Sequence, residues 1–292
     1  MTRFAPRRIL CPIDFSEYSA AALRAAGNLA RLFGSEVRVL HAQRLEAPLY
    51  FTSAQLLALK TQLKRGLRSA QKFVEDFASP LLPGEVAWTA HVVERDPVTA
   101  ILDMHKQWRA DLLVMGTHGR TGLTRIRLGS VMESVFRQVR GPILTVGPKA
   151  AQLPLASVRR VLSPIDLSPT AQEHFQYSVD LAERAGAEVV AVHVLERPSE
   201  EGSGRSLKNL CEWISPEARA HCTVHEVVKE GKPAEAIIAE AKASRADVIV
   251  LGARPQSYFG ELVFGSTTEV VIRAAPCPVL TIIQRATRDT SK

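Results

Sequence analysis

The chain contains its own first half twice. Ile9-Leu10-Cys11-Pro12-Ile13-Asp14-Phe15-Ser16 aligns with Val161-Leu162-Ser163-Pro164-Ile165-Asp166-Leu167-Ser168 at an offset of 152, which also pairs Gly34 to Val37 with Gly186 to Val189 and His41 with His193. Farther along the offset becomes 136, pairing Pro97 with Pro233, Asp111 with Asp247, Gly129 with Gly265 and Pro142 with Pro278. The second copy is shorter by the difference, 16 residues, and the loss lies between its second and third strands. A period near 150 in a chain of 292 residues indicates two tandem domains rather than a solenoid of short repeats. Each is long enough to bury its own core. The boundaries read as 1–148 and 157–286, with a linker around Gly147 to Ser157, where Pro148, Pro154 and small residues follow the last strand.

Within each copy short Val/Ile/Leu runs alternate with helical patterns, the signature of βαβ units and a parallel sheet covered on both faces. In the first copy strands are expected near 8–13, 36–42, 86–93, 111–115 and 142–147, and helices near 17–33, 53–78, 97–109 and 130–139. In the second of these helices Leu56, Leu59, Leu63, Leu67, Ala70, Phe73 and Phe77 form an apolar stripe, with Lys60, Lys64, Arg68 and Lys72 on a solvated face.

The fourth strand of the first copy runs into Gly116-x2-Gly119-x9-Gly129-Ser130, and the matching strand of the second copy into Gly252-x2-Pro255-x9-Gly265-Ser266. Glycines let backbone amides approach an anion closely, and a helix starting near Gly129 would add free N–H groups and a positive dipole end. An ordinary glycine-rich loop would show the same spacing. Its place between strand and helix, at the carboxyl edge of a sheet, favours a phosphate cradle. Arg120, Arg125 and Arg127 surround the first loop, where the second copy has Gln256, Glu261 and Val263. Pro255 removes an N–H donor, bulky Tyr258-Phe259 replaces Gly122-Leu123, and only Arg254, opposite His118, compensates. Phosphate binding is therefore expected in the first copy and weakly or not at all in the second, where Ser266 and Thr267 would serve mainly as helix caps. Asp14 emerges at the same sheet edge, to hold a hydroxyl-rich ligand, to cap its helix, or both. His41 is repeated as His193 in the copy with the altered loop, which favours a structural role.

The net charge of +7 is divided unevenly: residues 1–150 carry 21 Lys+Arg against 12 Asp+Glu, and the remainder 16 against 18. Such asymmetry fits nucleic acid, an anionic membrane surface or a small anionic ligand, and does not choose among them. No helix-turn-helix, RNA-binding aromatic motif or zinc-finger spacing is present, and aromatic residues are only 6%, too few for stacking platforms. No run of 18 apolar residues predicts a membrane span, and the start lacks a secretory apolar segment, so a cytoplasmic protein is expected. Cys11, Cys211, Cys222 and Cys277 form no CxxC pair and read as reduced, mostly buried thiols. His221-Cys222-x2-His225 could be read as metal ligands, although strand alternation would put the two histidines on one face and the cysteine on the other, so no metal is expected.

Pro12-Ile13-Asp14, His41-Ala42, Asp111 to Met115, Gly116-Thr-His-Gly-Arg120, Gly129-Ser130-Val131 and Gly141-Pro142-Ile143-Leu144 resemble universal stress proteins of the UspA superfamily, as a tandem pair spanning nearly the whole chain. The resemblance implies two Rossmann-like α/β domains, each with a five-stranded parallel sheet of order 3-2-1-4-5, paired through their last strands. Its glycine pattern is that of the ATP-binding branch. Carried over, it puts Asp14 at the ribose, Ile13, Ala42 and Met115 around the adenine, and Gly116, His118, Gly119, Arg120, Gly129, Ser130 and Val131 along the phosphates. Asp166, Val194, Gly252, Gly265 and Ser266 occupy the matching places of a weaker second site.

The expected function is that of an ATP-binding stress-response protein, with or without Mg²⁺, in which occupancy of domain one modulates interactions or assembly. A homodimer of tandem chains and a further protein partner are expected, without membrane or nucleic acid. A slow ATPase or nucleotidyl transferase of the same fold group is the alternative, with Asp14 and His118 assisting. No catalytic set is assigned, because the chain has no Walker A Gly-Lys-Ser/Thr and no plainly placed base for water. A Rossmann dehydrogenase is disfavoured, since the first strand leads into Cys11-Pro12-Ile13-Asp14 and not Gly-x-Gly-x-x-Gly.

Overall fold

In the computed structural model the described residues are 3–43, 69–119, 128–152, 157–197, 202–253, 256–258, 261–263 and 265–283. The first copy forms strands β1 (Arg8–Pro12), β2 (Glu36–Gln43), β3 (Trp88–Glu94), β4 (Leu112–Gly116) and β5 (Gly141–Val146). Its helices are α1 (Glu17–Phe33), α2 (described over 69–78), α3 (Pro97–Trp108) and α4 (Ser130–Gln138). The second copy supplies β6 (Arg160–Pro164), β7 (Glu188–Leu195), β8 (Val224–Glu230), β9 (Val248–Ala253), a hairpin of β10 (Gln256–Tyr258) and β11 (Glu261–Val263), and β12 (Val279–Ile283). Its helices are α5 (Ala171–Ala185), α6 (Gly202–Trp213), α7 (Pro216–His221), α8 (Pro233–Ala243) and α9 (Ser266–Ala274).

One ten-stranded sheet runs β3-β2-β1-β4-β5-β12-β9-β6-β7-β8. Each half has the 3-2-1-4-5 order and is parallel throughout, with Ile9 opposite both Val37 and Leu112. The halves meet antiparallel where β5 and β12 pair, Thr145 opposite Val279 and Gly141 opposite Ile283. Strand alternation explains the layers. Ile9, Cys11, Leu112 and Val114 pack with α1, while Leu10, Leu113, Met115 and Ile143 pack with α3 and α4. Both faces are therefore apolar and covered, as a parallel sheet requires.

Helix ends follow local chemistry. Ser16 caps α1 by accepting the Ser19 N–H at 3.1 Å, and Gly34 ends it with φ of 70°, in the left-handed region. Asp111 accepts the N–H groups of Arg7 and Arg8, both at 2.9 Å, at the entry to β1; Asp247 repeats this with Arg159 and Arg160 at 2.8 and 2.9 Å. Ahead of β1, Phe4 also clamps the second copy. Phe4 stacks on Tyr177 at 5.1 Å and donates its N–H to the buried Asp180 carboxylate at 2.6 Å.

Strand positions in the first copy agree with the sequence reading to within two residues. Of the long second helix, only 69–78 can be compared; Lys60, Lys64 and Arg68 lie outside the described residues, Lys72 is exposed as expected, and the stripe is corrected at Phe73, which is exposed while Val74 is buried. The strand reading of 221–225 is corrected. His221 ends helix α7 and β8 starts at Val224, so alternation does not relate the two histidines. His221 contacts Glu183 at 2.8 Å, His225 contacts Glu188 at 2.9 Å, and no metal-binding group of three side chains occurs among the described residues. All four cysteines are free, Cys11 and Cys277 buried and Cys211 exposed.

Candidate functional site

The carboxyl ends of β1 and β4 lie side by side where the chain order reverses, the place at which an open α/β sheet leaves a crevice. The corner after β1 is tightly determined. His41 Nδ1 lies 3.0 Å from the Ile13 carbonyl, which can only accept, so Nδ1 carries the proton. His193 does the same to Ile165 at 2.7 Å, and the shared contact makes both histidines corner braces. Phe15 takes a left-handed φ of 63°, and Leu167 repeats it at 59°. That conformation costs a bulky residue ~1–2 kcal/mol. Contacts of the Phe15 ring with His41, Phe73 and Phe77, at 4.6, 4.7 and 5.2 Å between centroids, offset the strain.

This corner aims Asp14. Its Oδ1 accepts the Ser16 N–H at 3.0 Å and the Ser16 hydroxyl at 2.6 Å. The helix-cap reading of Asp14 is thereby corrected: Ser16 is the cap of α1, and Asp14 holds Ser16. The other oxygen, Oδ2, faces the glycine loop so closely that a Cβ on Gly119 would lie 2.8 Å from it. Gly119 is thus where the loop backbone meets the carboxylate.

The other two glycines do different work. A Cβ on Gly116 would fall 2.9 Å from Tyr18 Cβ and 3.0 Å from its carbonyl carbon, so this glycine admits α1 against the strand end. Gly129 has an ordinary φ of −61° and donates its N–H to the Thr117 carbonyl at 2.9 Å, closing the loop at its neck and setting α4 to begin at Ser130. The N–H groups of Ser130, Val131 and Met132, in the first turn of α4, are those that an intrahelical bond does not use. Thr117 is fully buried, its N–H bonded to Val146 O at 3.0 Å and its hydroxyl 2.9 Å from His118 Nδ1. The His118 ring lies 5.6 Å from Tyr18, with Nε2 sealed from solvent, so it braces the loop from behind.

Together these residues enclose a cleft of about 280 Å³. Ile13, Asp14, Ala42, Met115, Gly116, His118, Gly119, Gly129, Ser130 and Val131 all line it; Arg120, with Arg125 and Arg127, lies outside the described residues. The sequence reading missed Leu40, Pro97, Ile101, Thr117 and Met132, which also line it. Pro97 and Ile101, one turn apart at the start of α3, were findable because Pro233 and Ile237 repeat them at the 136-residue offset. The lining combines apolar side chains, Leu40, Ile101 and Met115, with the Asp14 carboxylate and the α4 N-terminus. A flat apolar group joined to hydroxyls and an anion suits that combination.

The second copy departs at several of these points. Asp166 again accepts from Ser168, at 3.0 Å from its N–H, but is exposed. Val194 stands for Ala42 and Ala253 for Thr117, removing the hydroxyl. Gly252 faces a different neighbour: a Cβ there would lie 2.5 Å from Nδ1 of the buried His174, whose Nε2 donates to Pro164 O at 3.0 Å. Gly265, not Ser266, is the cap residue of α9, and no side chain caps it; the expected cap role of Ser266 and Thr267 is corrected. Where the first copy carries its arginine-rich loop, the second forms the β10–β11 hairpin, with Gln256 opposite Val263. Arg254 and Pro255 lie outside the described residues.

Comparisons with known proteins agree with this architecture. The chain is 26% identical over 302 aligned positions to a universal stress protein of Mycolicibacterium smegmatis, covering 95% of this chain and 97% of that one. It is 32% identical over 146 positions to one of Methanocaldococcus jannaschii, covering 48% and 81%. The fold of a universal stress protein from Archaeoglobus fulgidus superposes with a TM-score of 0.70 at 24% identity, covering 97% of this chain and 100% of that one. The universal stress protein family itself matches twice, over residues 6–147 and 157–282, and with two copies of its fold joined in one sheet the chain belongs to that family.

Proposed function

We propose that the first domain binds ATP or a related adenine nucleotide, and that occupancy of its cleft, rather than turnover, modulates the protein's interactions or assembly. Membership of the family supports a role in stress response. The observation that carries the nucleotide reading is the approach of Gly119 to Asp14 Oδ2 beside the α4 N-terminus, which leaves a cradle a side chain would fill. Asp14 would hold the ribose hydroxyls, and Ile13, Ala42 and Met115, with Leu40 and Ile101, would enclose the base. The amides of Gly119, Ser130 and Val131 would meet the phosphates, helped by the dipole of α4 and by Arg120. Gly116 and His118 would act indirectly, by seating α1 and bracing the loop. Mg²⁺ would enter with the phosphates, since Asp14 is the one carboxylate among the cleft-lining residues described.

The second domain would bind the same ligand weakly or not at all through Asp166, Val194, Gly252, Gly265 and Ser266. Slow hydrolysis gains no support from His118, whose ring is turned onto Thr117 and Tyr18. Because β5 and β12 pair within the chain, a homodimer or a further protein partner would use another face. No helix among the described residues is long and apolar enough to cross a membrane. The cytoplasm is the compartment this reading places it in.

Calorimetric titration with ATP, paired with mass spectrometry of small molecules released on denaturation, tests the proposal. One adenine nucleotide per chain is expected. Gly119→Pro, which installs the residue of the second copy, should weaken binding at least tenfold, about 1.4 kcal/mol, with an unchanged far-ultraviolet spectrum. Absence of binding by the native chain, or equal affinity in the variant, would sink it.

A further inference from the structure

A second cavity, of about 460 Å³, lies at the domain junction and is built from three separate segments. Arg24 comes from α1, Lys149 from the segment after β5, and Arg273 from the last turn of α9 in the second domain. Against these three cations the lining holds one carboxylate, Glu17. Arg24 and Lys149 are exposed, and neither forms an ion pair among the described residues. Tyr18 lines the groove and also touches Gly116 and His118, so the wall between groove and cleft is one side chain thick.

The pseudo-twofold relation of the copies supplies a comparison. The counterpart of Arg24 is Gln176, neutral and donating to Asp180 at 2.8 Å. The counterpart of Arg273 is Arg137, so that position is basic on both faces. The counterpart of Lys149, Arg285, lies outside the described residues. Of the three cations, Arg24 is thus the one that the related face replaces with a neutral residue. Domain junctions are places where ligands are preferentially enclosed, and arginine forks with a lysine suit clustered phosphate oxygens.

We infer that this groove is a second anion site, separate from the nucleotide cleft, for a short chain of phosphates, either free or carried as the tail of a nucleotide. Arg24 and Arg273 would grip it from opposite domains and Lys149 from the linker. The inference does not depend on what the cleft binds. Because a phosphate chain would bridge α1 and α9, its binding would also stiffen the junction of the domains.

Titration calorimetry of the full chain with inorganic tripolyphosphate, at low ionic strength where such contacts are least screened, is the test. GTP is run in parallel, to separate a free phosphate chain from one carried by a base. The Arg24→Gln/Lys149→Gln variant should weaken tripolyphosphate binding by about tenfold or more while its melting temperature is unchanged, since both residues are exposed. Gly119→Pro, confined to the cleft, should leave that binding in place. Tighter binding of GTP than of tripolyphosphate, lost in the same double variant, would assign the groove to a nucleotide tail. No binding by the native chain, or native affinity in the double variant, overturns the inference. Loss in Gly119→Pro instead would assign the anion to the cleft. Failure of ATP to bind, with the tripolyphosphate pattern intact, would remove the nucleotide proposal alone.

Discussion

Single residues decide more here than their spacing suggests, and the glycines show how. A methyl added at Gly116 would project into α1, 2.9 Å from Tyr18 Cβ and 3.0 Å from its backbone carbonyl carbon. Backbone cannot turn aside, so Gly116→Ala is expected to destabilise the chain by about 1–3 kcal/mol through overpacking. Urea unfolding would measure this, and a midpoint within error of the native one would refute the packing role. Gly119→Ala meets a carboxylate instead and should spare stability while disturbing Asp14. The sequence could not separate these duties, because both positions are glycines in one pattern and what each faces comes from α1 and from the β1 corner. The same limit applies to Asp14. Its place at the sheet edge was legible, but whether it or Ser16 capped α1 depended on the left-handed turn at Phe15, which no glycine announced. His118 was legible as a member of the loop and not as a buried brace, since its partners Thr117 and Tyr18 come from the loop neck and from a helix one hundred residues earlier.

At the scale of elements, periodicity was sufficient where both faces of a strand are buried and short apolar runs carry the signal. It failed where an element rests on neighbours: the strand reading of 221–225 took in His221, the last residue of α7, and the β10–β11 hairpin was hidden by aligning it to the loop of the first copy. A charged tie between elements yields a prediction about acid. Arg160 in β6 contacts Glu188 in β7 and the Ser244 carbonyl after α8, and His225 in β8 approaches the same carboxylate. The Arg160 hydrogen bond first, and then that of His225, holds the Glu188 carboxyl below its ordinary range. A group whose folded value is depressed contributes stability that is present above its unfolded value and lost as pH falls through the folded one. Native stability should therefore fall more steeply below the usual carboxylate range, roughly pH 4.3, than that of Glu188→Gln. Urea midpoints across that range would show it, and parallel curves for the two proteins would refute it.

For the whole molecule, the consequence of duplication lies in the middle of the sheet. The two last strands are the edges at which separate domains would otherwise expose unpaired backbone, and the chain joins them, Leu144 opposite Leu280. Thr145 is buried there and donates its hydroxyl to the Val279 carbonyl at 3.2 Å. The two copies are also tied away from the strands: Arg3 of the N-terminal segment pairs with Glu183 at 2.9 Å, and Arg184 of α5 donates to the Leu32 carbonyl of α1 at 2.7 Å. Tandem arrangement thus places one glycine-lined cleft beside one altered copy, and leaves the second copy completing the sheet. A fragment of residues 1–148 would expose β5 as an open edge carrying Ile143 and Leu144, both buried in the intact chain. That fragment is expected to self-associate through β5, giving about twice its own mass by light scattering. Thr145→Lys should return it to a monomer, because an inward charge on an edge strand opposes pairing. A fragment that stays monomeric without the substitution, or a dimer that tolerates the lysine, would show that β5 alone does not drive the union of the two halves.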